Sequence, residues 1–185
     1  MKEIKVTQIL AISGSLRTAS LNTALLRAAI TLAPEGVEIT LYDRLGALPH
    51  FNPDLEGTEI PSVKDIRTQL QISDGVLISS PEYAHGIPGV LKNALDWVVG
   101  SGELYRKPVA LLNASPRAIH AQASLKETLL TMDAPIINEA SITVPLPSNQ
   151  IDETGIISHS EISSVLHKAI VAFVSAIETF RTQRV

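Results

Sequence analysis

Gly14-Ser15-Leu16-Arg17-Thr18-Ala19-Ser20-Leu21-Asn22 gathers hydrogen-bond donors into nine residues. Ser15, Thr18 and Ser20 offer hydroxyls, Asn22 an amide and Arg17 a full positive charge. The stretch follows the apolar run Ile9-Leu10-Ala11-Ile12 and precedes the apolar-periodic run Leu21 to Leu32. It therefore reads as a loop between a strand and a helix start. A helix start leaves four amides unpaired, and the helix dipole adds partial positive charge there. A phosphate monoester wants this set of donors. The loop lacks both G-x-x-x-x-G-K-[ST] and G-x-G-x-x-G, so it is neither a Walker loop nor a dinucleotide fingerprint. Taken alone, it equally fits an ordinary Ser-capped helix after a strand.

A second loop, Ser80-Pro81-Glu82-Tyr83-Ala84-His85-Gly86-Ile87-Pro88-Gly89, is built for rigidity. Pro81 holds Ser80 extended. Gly86 permits a left-handed backbone or a close ligand approach. Pro88 suits the first position of a helix. Backbone amides fixed between such anchors can line the edge of a flat heteroaromatic ring.

Alternating strands and helices must position these loops. Val6 to Ile12 reads as a buried strand and Ser20 to Ala33 as a helix stopped by Pro34 and Gly36. Val37 to Tyr42 alternates as a half-buried or edge strand does. Asp43 to Glu59 is a long connection, and Ile60 to Ser73 a second helix. Asp74 to Ser80 supplies a turn and third strand, and Gly89 to Val99 a third helix. Pro108 to Asn113 is the fourth strand. A loop from Ala114 to Ala121 leads to a helix over Gln122 to Met132. Ile136 to Val144 is the fifth strand, Pro145 to Ile157 a polar connection, and Ser160 to Arg181 the last helix. That helix places Ile162, Val165, Leu166, Ala169, Phe173, Ile177 and Phe180 on one stripe. The pattern predicts an α/β fold: a doubly wound, five-stranded parallel sheet with helices on both faces, in one domain over residues 1–185. Ligands of such sheets bind beyond the carboxyl ends of the strands, where the strand order reverses. The loops after strands one, three and four all reach that edge.

Composition narrows the function classes. Of the 185 residues, 45% are hydrophobic and 18% charged, as in a globular chain. A net charge of −4 argues against a nucleic-acid partner. The absence of cysteine excludes disulfides, thiolate nucleophiles and Cys-based metal sites, and suits a cytoplasmic location. No signal peptide is recognisable, and no run of about 20 apolar residues suggests a membrane span. His50, His85, His120, His159 and His167 form no metal-binding motif, so no metal is expected. No G-x-S-x-G elbow is present.

S-P-E-Y-A-H-G-I-P-G-V-L-K-N-A-L-D-W, residues 80–97, resembles the signature of the NADPH-dependent FMN reductases, and G-S-L-R-x-x-S-x-N, residues 14–22, resembles their phosphate loop. The resemblance implies a flavodoxin-like fold, FMN as cofactor and NADPH or NADH as hydride donor. The acceptor it implies is a small molecule: a quinone, a nitro- or azo-aromatic compound, free flavin or a metal oxyanion. By this resemblance Ser15, Arg17, Ser20 and Asn22 hold the FMN phosphate. Pro81, Glu82, Tyr83 and Ala84 lie at the isoalloxazine ring, with Ser115 as a further contact. One departure stands out: the loop after strand four, Ser115-Pro116-Arg117-Ala118-Ile119-His120-Ala121, lacks the Gly-Gly pair of many members. A flavin-binding electron carrier, or a sensor without turnover, is the alternative function.

Flavin hydride transfer needs no protein carboxylate, so Glu82 is read as bracing its loop through backbone hydrogen bonds. Tyr83, His85 and Arg117 are the candidates to act beside the flavin. Tyr83 lines the substrate face or packs at a subunit contact. His85 orients or protonates a quinone, or is a plain surface histidine. Arg117 grips a nicotinamide phosphate or offsets flavin charge, or lies solvated. Asn93, Asp96 and Trp97 read as structural or interfacial. The connection 43–59 carries Leu48, Phe51 and Leu55 with little regular structure to bury them, and aromatics favour interface cores. A homodimer or homotetramer is therefore expected, with the second chain walling the ring site.

Overall fold

Val, Ile, Leu and Ala fill the three central strands, which are buried on both faces, and the helices cover them with single apolar faces. The computed structural model describes residues 6–183. The strands are β1 (Thr7–Ser13), β2 (Val37–Tyr42), β3 (Gly75–Ser79), β4 (Val109–Asn113) and β5 (Ile142–Thr143). The helices are α1 (Leu21–Thr31), α2 (Pro61–Ile72), α3 (Gly89–Val99), α4 (Ile119–Thr131), α5 (Glu153–Ser158) and α6 (Ser160–Thr182). All strand pairs are parallel, in the order β2-β1-β3-β4-β5. This is the flavodoxin-like doubly wound order, and it switches direction between β1 and β3.

Side-chain alternation along the strands divides the core between two layers. Leu10, Ile12, Val76, Ile78 and Leu111 meet Ile66 and Leu70 of α2, Leu91 and Leu95 of α3, and Leu125 of α4. Ile9, Ala11, Leu77 and Leu112 meet Leu25 and Leu26 of α1 and Leu166, Ile170 and Phe173 of α6.

Several elements differ from the sequence expectation. The β5 ladder has two residues rather than nine positions of strand. Ile136 makes one isolated bridge to Val109, and a 3₁₀ turn over Asn138–Ala140 interrupts the run. Ser141 explains the break: its Oγ accepts from Leu111 N at 3.1 Å and donates to Ile137 O at 2.8 Å, replacing ladder bonds. Within the expected polar connection, Asp152 caps α5 by accepting from Gly155 N at 2.8 Å. In α6, Val165 is exposed and Phe180 half-buried, while Ile170 joins the buried stripe.

The α6 helix is the longest apolar element among the described residues. By length and composition it is apolar enough to cross a membrane. Its buried stripe instead packs on the sheet, and its outer face carries exposed Glu161, Lys168 and Glu178.

The connection 43–59 is ordered by its own contacts. Two 3₁₀ turns, Leu45–Ala47 and Pro53–Leu55, shape it. Leu48 is buried, and Phe51 packs edge-on against Trp97 with ring centroids 5.1 Å apart. Trp97 is 1% exposed. Leu48 and Phe51 thus spend their apolar surface within this chain, so they no longer argue for a subunit contact.

Candidate active site

An open cleft of about 470 Å³ lies beyond the carboxyl ends of β1, β3 and β4. Its walls include Ser15, Arg17, Ser20, Asn22, Pro81, Glu82, Tyr83, Ser115 and Arg117. The three loops singled out in the sequence therefore build one site. Its size falls in the range of small-molecule pockets.

Gly14 lets the first loop lie against the second. A Cβ there would collide with the Ser80 hydroxyl and come within 3.2 Å of Leu91 Cδ2. Gly14 N donates to Ser79 O at 2.8 Å, extending the sheet contact into the loop.

Hydrogen bonds within the protein orient most of the donors at this end. Ser20 is the N-cap of α1, and its Oγ accepts from Thr23 N at 3.4 Å. The amides of Leu21 and Asn22, in the open first turn, face no helical acceptor, and both residues line the cleft. Ser79 Oγ donates to Asn22 Oδ1 at 2.9 Å, which leaves the Asn22 NH₂ as donor. Ser15 Oγ accepts from Arg17 N at 3.3 Å, so its own proton remains to donate. Arg17 is exposed on the rim and makes no ion pair among the described residues.

The β3 loop is a tight turn. Tyr83 N donates to Gly86 O and Gly86 N to Tyr83 O, each at 3.0 Å. Ala84 and His85 occupy its two central positions with φ of 49° and 60°. Such a turn ordinarily takes Asn-Gly, and left-handed non-glycine residues cost about 1–3 kcal/mol each. Pro81, Glu82 and Tyr83 line the cleft, whereas Ala84 and His85 sit at the exposed tip outside it. Ala84, expected at the ring segment, follows the wall residue Tyr83 directly. His85 turns the other way and stacks on His120, with ring centroids 4.4 Å apart.

The glycine-free β4 loop is braced by side chains. Asn113 Oδ1 accepts from Ser115 N at 3.1 Å, and Ser115 Oγ accepts from Arg117 N at 3.3 Å. Glu82 Oε2 accepts from Ala121 N at 2.9 Å across the cleft wall. That bond satisfies an amide in the first turn of α4, and α4 accordingly starts at Ile119 rather than Gln122. Arg117 is exposed on the rim and, like Arg17, has no ion-pair partner among the described residues.

Residues 7–146 match the family model of the NADPH-dependent FMN reductases. The chain belongs to the NADPH-dependent FMN reductase family. It is 36% identical over 154 residues to an NAD(P)H-dependent FMN reductase of Pseudomonas aeruginosa, covering 80% of this chain and 83% of that one. It is 31% identical over 156 residues to a quinone reductase of Escherichia coli, covering 80% and 83%. The solved structure of FerB, a flavoenzyme NAD(P)H:(acceptor) oxidoreductase from Paracoccus denitrificans, is 31% identical. It covers 95% of this chain and 99% of FerB, with a TM-score of 0.77.

Within this FMN reductase fold, three polar wall residues were not among the candidates read from the sequence: Ser80, Asn113 and Asn149. Asn113 ends β4, and the strand-end rule would have found it. Asn149 reaches the cleft from the connection after β5, where no motif marks it.

Proposed function

We propose that the protein is an FMN-dependent NAD(P)H oxidoreductase that passes hydride to a small-molecule acceptor, with quinones as the leading class. The observation that carries this reading is the donor set at one end of the cleft. Ser15, Arg17, Leu21 and Asn22, which carry these amide, hydroxyl, NH₂ and guanidinium donors, line one cleft whose wall holds no carboxylate but Glu82. Glu82 is already committed to the α4 amide end. This set fits the terminal phosphate of FMN.

The fit extends to the ring. Pro81, Glu82, Tyr83 and Ser115 would hold its edge, with Arg117 at the rim to receive an anionic group. FMN, when bound, supplies the two-electron hydride chemistry. The chain's part is to bind the phosphate, hold the ring against braced loops and exclude water from one face. Tyr83, 49% exposed at the rim, is free to cover a flat acceptor. NADPH and NADH both fit an account that invokes only the nicotinamide end.

The whole chain acts as one cytoplasmic domain in this reading. A second copy, in a homodimer or homotetramer, would close the open side of the cleft beside Tyr83. Initial rates with NADPH and a benzoquinone test the proposal. Parallel double-reciprocal lines are expected, because donor and acceptor use one face in turn. Intersecting lines would overturn the shared face. A protein that binds FMN but shows no acceptor-dependent NAD(P)H oxidation would be a carrier or sensor.

A further inference from the structure

The fold assembles a cluster that the sequence scatters. Glu82, His85 and His120 each offer one ligand atom, and these atoms lie within 4.8 Å of one another. The two imidazoles stack with an interplanar angle of 23°. His85 is held by the two-bond turn of Tyr83 and Gly86, and His120 by the first turn of α4. Glu82 Oε2 is taken by Ala121 N, which orients the carboxylate and leaves Oε1 unused.

We propose that Glu82, His85 and His120 form a binding site for a divalent transition-metal ion of the Zn²⁺, Ni²⁺ or Cu²⁺ class. Two imidazoles and one carboxylate are the ligand set that Zn²⁺ takes when one position stays open for water. Imidazole disfavours Mg²⁺ and Ca²⁺, which select oxygen. The Ala121 amide supplies the outer-shell hydrogen bond that aims a ligating carboxylate. With metal–ligand bonds of about 2.1 Å, tetrahedral ligands stand about 3.4 Å apart. The cluster is therefore slightly open, and it closes by side-chain rotation. Both histidines are exposed, and the rotation that turns their in-plane lone pairs toward one ion gives up their ring stacking. Glu82 also lines the cleft, which places the bound ion at its wall.

Calorimetric titration of untagged, full-length protein with ZnCl₂ tests the site, with and without added FMN. The apoprotein arm keeps the result independent of the cofactor reading. One Zn²⁺ per chain is expected in both arms, undisturbed by excess Mg²⁺. Co²⁺ should give the visible absorption of a four- or five-coordinate site. His85→Ala and His120→Ala should each weaken Zn²⁺ at least tenfold with an unchanged circular dichroism spectrum. Absence of saturable Zn²⁺ binding overturns the proposal. So does equal affinity in both histidine variants, or full displacement by Mg²⁺.

Discussion

Glu82 Oε2 and Ala121 N, 39 residues apart in sequence, are joined by a 2.9 Å hydrogen bond. Through it the β3 loop caps the helix that follows β4. A cap contributes about 0.5–2 kcal/mol. Glu82→Ala should therefore lower the melting temperature by roughly 1–8 °C, at about 2–4 °C per kcal/mol for a chain of this size. Amide exchange should accelerate at Ile119–Ala121 first. Unchanged protection there would show that α4 needs no help from Glu82.

Asn93 and Trp97 fasten the long connection to α3. Asn93 Nδ2 and Trp97 Nε1 both donate to Pro49 O, at 2.9 and 2.8 Å, and Asn93 Oδ1 accepts from Phe51 N at 2.7 Å. Asn93→Ala orphans the Phe51 amide, at a cost of about 1–3 kcal/mol. Hydrogen exchange should rise sharply at Phe51 and spread through residues 48–55. Loss of stability without that local change would place the role of Asn93 elsewhere.

Tyr42 predicts a pH effect. Burial, followed by its 3.0 Å hydrogen bond to Asp65 Oδ2, pushes its phenol well above the ordinary value near 10. The folded pKa is raised, so the stabilisation is full below pH ~10 and is lost as pH climbs above it. Tyr42→Phe should unfold less steeply than the parent above pH 10 in denaturant titrations. Identical alkaline slopes would contradict this.

Much of the architecture was readable because each strand ended in a marked loop. Ser20 announced α1 and Pro88 announced α3 by local chemistry alone. The failures came where a distant residue decided the outcome. Ser141 replaces ladder bonds with its side chain, so of the apolar run Ile136 to Val144 only Ile142–Thr143 forms the fifth strand. The start of α4 is set by Glu82, far upstream. Phe51 looked unburied because Trp97, its partner, lies 46 residues on. Ala84 and His85 matched a motif in sequence, but the motif did not reveal their left-handed backbone at the turn tip. The glycine-free β4 loop departs from the Gly-Gly pattern of many family members, and Asn113 and Ser115 brace it with their side chains.

Phosphate recognition can be tested apart from chemistry. Ser15→Ala combined with Arg17→Ala removes a hydroxyl donor and a rim cation, each hydrogen bond to a charged group being worth about 1.5–3 kcal/mol. FMN affinity should fall at least tenfold in a fluorescence titration, and riboflavin, which lacks the phosphate, should bind both proteins alike. Equal losses for FMN and riboflavin would mean that the loop contacts the ring instead.

The central claim is that the cleft holds FMN and turns it over between a nicotinamide and an acceptor. Stopped-flow absorbance of the FMN-loaded protein addresses it directly. Mixing with NADPH or NADH without oxygen should bleach the flavin's visible band in a saturable phase, and a second mix with a benzoquinone should restore it within the turnover time. A visible band that survives both nicotinamides, or one that the quinone does not restore, would contradict the account.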